Sequence, residues 1–323
     1  MNYGKSNLSR RKKQISSKKK RKKKRVGVRF FKALIICFLL LIVIGAAGIG
    51  IYVKKVIDNT PEVTAKDIMP QGYTTNIVDS NGTLLEQLKD SDSNRVYKKY
   101  DEISPYMGKA FVAIEDERFF KHNGIDIQGI IRAGVNGVAH GFHFTEGAST
   151  LTQQLIKNNV FPNFINESKY QRIERKIQEQ YLALKIEKEM SKEEILEAYM
   201  NTINLGQGCL GVQTAAQRYF NKDAKDLTLS ECAVIAAITQ SPSNLNPVSS
   251  PENNAKRRKK VLKNMKEQGF ITKDEYDEAM ADNVYDRISE TASNTTASKP
   301  YTYFIDAVIN QVVDDIRQPK LPL

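Results

Sequence analysis

Apolar and polar positions change their spacing several times along the 323 residues. Residues 33–53 read ALIICFLLLIVIGAAGIGIYV and carry no charge. About 20 such residues suffice for a helix to cross a bilayer core. Residues 73–88, YTTNIVDSNGTLLEQL, place apolar positions on either side of Asn81-Gly82 and predict two strands joined by a turn. From Ser104 a helical period takes over. Ser104 reads as an N-cap with Pro105 at the first helical position, and the helix runs through Met107, Phe111 and Ile114 to the Glu115 region. A second helix is expected from Asp126 to Val138, then a mobile Gly-rich loop from Gly137 to Gly147. Ser149 or Thr150 caps a helix to about Asn158, with Gln153 in capping-box position behind Thr150. The long helix Ser168–Met190 has Ile173, Ile177, Tyr181 and Leu184 on one stripe and Arg172, Arg175 and Glu179 on another face. Ser191 and Glu194 form a capping box for Lys192–Asn201, and further helices are expected at Val212–Phe220, Ser230–Thr239, Pro251–Glu267, Lys273–Ala281 and Tyr301–Asp315. Residues 289–299 are rich in Ser, Thr, Ala and Asn and read as a linker, and there is no internal repeat.

Charge changes the picture at the N-terminus. The first 56 residues hold 17 of the 49 lysines and arginines and no acid, so the remainder sets 32 bases against all 37 acids and is mildly acidic. The basic segment 1–32 reads as a disordered tail. It suits nucleic acid, an address signal or the cytoplasmic flank of a membrane span. The apolar run that follows decides for the last, with the N-terminus inside. That run is longer than the roughly 7–15 residues of a cleaved signal's apolar region. A stalk fills 54–72. Cys37, Cys209 and Cys232 show no metal or redox spacing and read as small buried hydrophobes.

Three later stretches carry candidate chemistry. In Glu115-Asp116-Glu117-Arg118-Phe119-Phe120-Lys121-His122-Asn123-Gly124, two carboxylates precede an aromatic pair. Such a carboxylate serves as acid or base, or simply ends a helix. Gly147-Ala148-Ser149-Thr150-Leu151-Thr152-Gln153-Gln154 offers a helix start, hydroxyls and amides suited to an anion or a sugar, or a well-capped helix. Arg175, Lys176 and Glu179 suit a diphosphate, or an ordinary ion pair one helical turn apart.

Taken in order, these stretches resemble the membrane-anchored peptidoglycan glycosyltransferases, the lysozyme-like domain of class A penicillin-binding proteins and their monofunctional relatives. The resemblance is carried by EDERFFKHNG (115–124), GASTLTQQ (147–154), RKIQE (175–179), KEEILEAYMN (192–201), AAQRYF (215–220) and LSECAVIAAITQSPSNLNP (229–247), and covers about residues 70–285. It implies a mainly α, lysozyme-like bilobal domain over 73–285, with an N-terminal transmembrane helix and a small β-hairpin. Residues 286–323 would then lead toward a transpeptidase domain.

The resemblance also implies roles. Glu115 would be the general base and Glu179 the second essential carboxylate. Asp116 would help organise the donor diphosphate and a divalent cation, Mg2+ or Mn2+. Arg175, Lys176 and Lys157 would neutralise that diphosphate. Ser149, Thr150, Gln153 and Gln154 would contact donor phosphates and sugar, while Glu197, Tyr199 and Asn201 would be architectural. Lipid II and the growing glycan strand would be the substrates, at the outer face of a bacterial cell membrane. Membrane lipids and other cell-wall synthesis proteins are the expected partners, and no nucleic acid. Asn204–Gly211 departs from the family pattern, which usually carries aromatics there. Phe142 and Phe144 are expected on a flap that dips toward the membrane. Ser-x-x-Lys occurs only in the basic tail and Lys-Thr-Gly nowhere, so no β-lactam acylation is expected. Two rivals stay open: a lytic transglycosylase that cleaves strands, and a non-catalytic scaffold.

Overall fold

The computed structural model of the chain describes residues 5–70, 75–82, 84–88, 95–141, 147–161, 164, 167–293, 307–308 and 311–312. The chain divides into two compact units, residues 1–60 and 61–323.

The first unit is dominated by one helix, α1 (Lys5–Asp58). Its segment Arg29–Asp58 is long and apolar enough to cross a membrane, and Phe30 to Ile51 present exposed apolar side chains. The expected disordered tail is instead helical from Lys5. Lysine and arginine are good helix formers, and no proline interrupts the run into the apolar segment.

The second unit is mainly α. It opens with a short helix, α2 (Ala65–Ile68), whose Ile68 is buried together with Val63 in the core, and Asn159 Nδ2 donates to the Ile68 carbonyl at 2.6 Å. The folded unit therefore begins within the expected stalk, because these two apolar side chains need the core. The expected hairpin follows as antiparallel β1 (Thr75–Val78) and β2 (Leu84–Leu88), with Gly82 at φ +83° in the turn.

One helical group packs around α9 (Leu229–Ala237), all of whose residues are buried. Against it lie α3 (Pro105–Glu115) and α10 (Pro251–Glu267), with α11 (Lys273–Ala281) beside them. Another group joins α5 (Leu151–Val160) to α6 (Lys169–Glu189) and α7 (Lys192–Thr202). Between these in sequence come α4 (Ile127–Ala139) and α8 (Val212–Phe220). The two groups share one continuous core. Finally α12 (Val284–Ser293) packs on α8 through Val284 and Ile288, so helix replaces the first part of the expected linker.

The faces of α6 are the main departure. Ile173, Tyr181 and Leu184 are exposed, whereas Arg175, Glu179, Leu182, Ala183 and Ile186 are buried. Leu182 and Ile186 set the inward face, and at helical spacing that face carries Glu179 and Arg175 inward with it. The exposed stripe is matched on α4 by Ile127, Ile131, Val135 and Val138. Phe142, Phe144 and most of Tyr301–Asp315 lie outside the described residues.

Candidate active site

A cavity of about 450 Å³ opens at the C-terminal end of α3. Glu115 lies on its wall, with Ile114, Glu117, Arg132, Gly147, Ser149, Gln154, Gln240 and one face of α10. Three donors converge on the Glu115 carboxylate. Thr239 Oγ1 donates to Oε1 at 2.5 Å, Arg257 Nη2 to the same oxygen at 3.2 Å, and Gln154 Nε2 to Oε2 at 3.0 Å. Gln154 is itself held by Tyr199, whose hydroxyl lies 3.4 Å from Gln154 Oε1. Complete burial pushes the Tyr199 phenol well up, which keeps it a proton donor. Tyr199 is thus more than architectural: it orients the amide that orients the carboxylate.

Asp116 has a different environment. It caps the end of α3, and its side chain is 2 % exposed. His122 Nδ1 accepts from the Gly124 N–H at 3.1 Å, so the ring proton sits on Nε2, which donates to Asp116 at 2.9 Å. The Leu151 N–H donates to the other oxygen at 2.9 Å. Asp116 therefore ties the helix start of α5 to the 115–124 segment.

Thr150 and Gln153 do the same work. Thr150 is the N-cap, its oxygen accepting from Gln153 N, while its hydroxyl and the Gln153 amide both donate to the Gly124 carbonyl at 2.8 and 3.1 Å. Both side chains are buried. The Thr150 hydroxyl and one amide N–H of Gln153 are thus engaged with Gly124 in the protein itself. Ser149 and Gln154, by contrast, line the cavity.

Beyond Ser149 lies a cluster of cations. Lys176 Nζ reaches Ser149 Oγ at 3.1 Å and Glu179 at 2.7 Å. Arg175 contacts the other Glu179 oxygen and pairs with Glu167 at 2.6 and 2.9 Å. Glu179 itself is 0 % exposed. Both its oxygens are engaged, one by Arg175 and the other by Lys176. Lys157 has no acidic partner among the described residues and lies 4.8 Å from the Phe164 ring centre. Burial first, then Lys176 and Arg175, push the Lys157 ammonium down, and its electrostatic neighbours include Glu115. A substrate anion placed there would relieve that repulsion.

The cation expected from the resemblance needs a ligand set. Asp116 lines the cavity with both oxygens already engaged, by His122 and the Leu151 N–H, and no group of three His, Cys, Asp or Glu suited to a metal occurs among the described residues. The described residues supply no ready ligand set for a metal held by the protein alone, and the contacts of Asp116 are those of a structural tie.

Thr239, Gln240, Arg257 and Lys260 escaped the sequence reading. Thr239-Gln240 follows the apolar α9 and precedes Ser241-Pro242, a polar break that marks an exposed edge. Arg257, Lys260, Asn264 and Gln268 recur at helical spacing, but a solvated helix face has the same pattern.

A family profile described as Transglycosylase matches residues 81–266. Penicillin-binding protein 1A of Clostridium perfringens strain 13 is 38 % identical over 296 residues, 89 % of this chain and 43 % of that protein. Penicillin-binding protein 1A of Clostridium novyi is 42 % identical over 235 residues, covering 70 % of this chain and 27 % of its own length. That of Streptococcus oralis is 35 % identical over 292 residues, 90 % of this chain and 44 % of the relative. A crystal structure of penicillin-binding protein 1A from Haemophilus influenzae aligns with a TM-score of 0.36 and 24 % identity, over 66 % of this chain and 21 % of that one. The chain spans less than half the length of these curated relatives. With the profile covering more than half of its residues, the chain belongs to the transglycosylase family.

Proposed function

We propose that this chain is a membrane-anchored peptidoglycan glycosyltransferase that polymerises lipid II into β-1,4-linked glycan. The observation that carries this reading is the Glu115 carboxylate on a cavity wall shared with Ser149, whose hydroxyl Lys176 reaches at 3.1 Å, and the electrostatic coupling of Lys157 to Lys176, Arg175 and Glu115. Glu115 removes the proton from the acceptor 4-hydroxyl. The hydroxyl oxygen forms a bond to the anomeric carbon of the donor, whose bond to the diphosphate oxygen breaks. The diphosphate leaves with the electron pair, and the configuration inverts. A glycosidase expels a poor alkoxide and needs a carboxylic acid kept neutral. A diphosphate departs once its charge is neutralised, which three cations do without a protonated acid. Glu179 keeps two of those cations in place. A divalent cation, Mg2+ or Mn2+, would supply further charge neutralisation to the donor diphosphate beside these residues.

The polyprenyl tail of lipid II stays in the bilayer, and a membrane anchor raises the local concentration of enzyme and substrate on one surface. The basic flank of α1 supports an N-terminus inside the cell and a catalytic unit outside. The exposed apolar stripes of α4 and α6 support apposition of the catalytic unit to lipid.

The test is incubation of the detergent-solubilised chain with labelled lipid II. A ladder of long polymer supports the reading. Short anhydro-ended fragments from preformed glycan would favour the lytic rival, and neither product would favour a scaffold.

A further inference from the structure

The two oxygens of the Glu115 carboxylate are not equivalent. An ionised carboxylate offers about four lone-pair sites, shared equally between its oxygens. Thr239 Oγ1 and Arg257 Nη2 both donate to Oε1, at 2.5 and 3.2 Å, and fill it. Among the described residues Oε2 accepts from Gln154 Nε2 alone, at 3.0 Å, and keeps one site open. Glu115 and Gln154 line the cavity whereas Thr239 does not, so Thr239 stands behind the carboxylate.

Thr239 lies just past the end of α9, which fixes its place. Its hydroxyl has a single proton and two acceptors within reach, Glu115 Oε1 at 2.5 Å and the Ala236 carbonyl at 3.1 Å. The shorter length is that of a bond from a hydroxyl to an anion. Ala236 carries one of the last carbonyls of α9, which a helix leaves without an internal partner. The proton therefore goes to Glu115 while that carboxylate is charged. Once Glu115 is neutral the pull on the hydroxyl weakens, and the Ala236 carbonyl is placed to receive it. Arg257 is the looser tie, at 3.2 Å and shared with Gln240.

We propose that Oε2 is the oxygen of Glu115 that takes the acceptor proton, and that Thr239 is the positioning residue that aims it. The inference rests on the reading of Glu115 as the base. Thr239 pins Oε1, which holds the open site of Oε2 toward the cavity. As the acceptor oxygen bonds to the anomeric carbon and the diphosphate leaves with the electron pair, the acceptor proton passes to Oε2. The Thr239 proton turns from Oε1 to the Ala236 carbonyl, so Thr239 neither gains nor loses one. Release of the Oε2 proton to water restores the first arrangement.

The experiment measures polymerisation of labelled lipid II by the full chain in detergent. It compares wild type, Thr239→Val, Thr239→Ser, Glu115→Gln and the double variant Glu115→Gln with Thr239→Val. Thr239→Val keeps the branched shape and removes the donor. It should lower kcat about tenfold, the scale of a small loss of aim at a reacting group, at an unchanged KM for lipid II. Thr239→Ser restores the hydroxyl and should recover kcat to within about twofold. In Glu115→Gln, where the base is already gone, adding Thr239→Val should cost nothing further, because the two residues act as a unit. Thr239→Ala takes the place of Thr239→Val if the latter melts below the assay temperature. A merely structural Thr239 would lower the rate by the same factor in both backgrounds, which would overturn the proposal. So would a wild-type kcat in Thr239→Val, or a Thr239→Ser variant as slow as Thr239→Val. A wild type that makes no polymer, or a Glu115→Gln variant as fast as wild type, would instead overturn the reading of Glu115 beneath it.

Discussion

Gly124 is the position at which one methyl group should do the most damage for its size. It sits at φ +91°, and a Cβ placed there would lie 2.6 Å from the carbonyl oxygen of Ala183 and 2.7 Å from its carbon. Both are backbone atoms of α6, so no side chain can swing away. The left-handed backbone costs an alanine about 1–2 kcal/mol, and forcing atoms into a filled site adds about 1–3 kcal/mol. Gly124→Ala should therefore destabilise the unit by about 3 kcal/mol, or about 10 °C in Tm for a domain of this size. Its carbonyl also accepts from Thr150 and Gln153, so the start of α5 shifts and polymerisation falls at temperatures where the fold survives. Gly134 in α4 is the control: its Cβ would meet nothing within 4 Å, and Gly134→Ala should stabilise by about 0.5–1 kcal/mol. Thermal melts in detergent, followed by near-UV circular dichroism of the tyrosines in this tryptophan-free chain, measure both. A Gly124→Ala melt within about 2 °C of wild type would refute the argument.

Other consequences can be checked in the same material. Because burial and neighbouring cations push the Lys157 ammonium down, the penalty of keeping it charged is present in full at low pH and is relieved as pH rises through its folded value toward the ordinary 10.5. Binding of an anionic donor should accordingly weaken on the alkaline side at lower pH than for an ordinary lysine, and Lys157→Arg should remove that limb from the profile of donor KM against pH. Asp116→Asn should lower stability by about 2 kcal/mol, because the His122 and Leu151 donors lose their shared anion, while leaving the Mg2+ concentration dependence of residual activity unaltered; a shifted Mg2+ requirement would return Asp116 to the metal. Ile131→Ser with Val135→Ser should weaken liposome binding of a chain begun at Pro61 by about tenfold, given the apolar area of two exposed side chains. Unchanged sedimentation with vesicles would remove the α4 stripe from the membrane.

Local signals made much of this fold legible. Pro251 at the first position of α10, Thr272 with Glu275 at the start of α11, and Ser191 with Glu194 at the start of α7 are capping devices that declare themselves in sequence. What stayed hidden was long-range. The apolar stripe Ile173–Leu184 is the obvious inward face of α6 by periodicity, yet the core takes Leu182 and Ile186 and draws Glu179 in with them. Glu115 was legible as a candidate, but its partners Thr239 and Arg257 come from 124 and 142 residues away. Thr150 and Gln153 looked like ligand-facing groups because nothing local reveals that the Gly124 carbonyl needs them. The basic tail looked disordered because charge runs usually are, while its helical propensity and its continuity with an apolar helix point the other way.

The central claim is that Glu115 is the base of a polymerase, and Glu115→Gln tests it most directly. The substitution keeps shape and the acceptor for Thr239 and Arg257 but removes the capacity to take a proton. The account predicts a polymer ladder from labelled lipid II with the wild type, and a rate lower by at least about 100-fold in the variant at an unchanged Tm. A variant that folds normally and polymerises within a few-fold of wild type would contradict it.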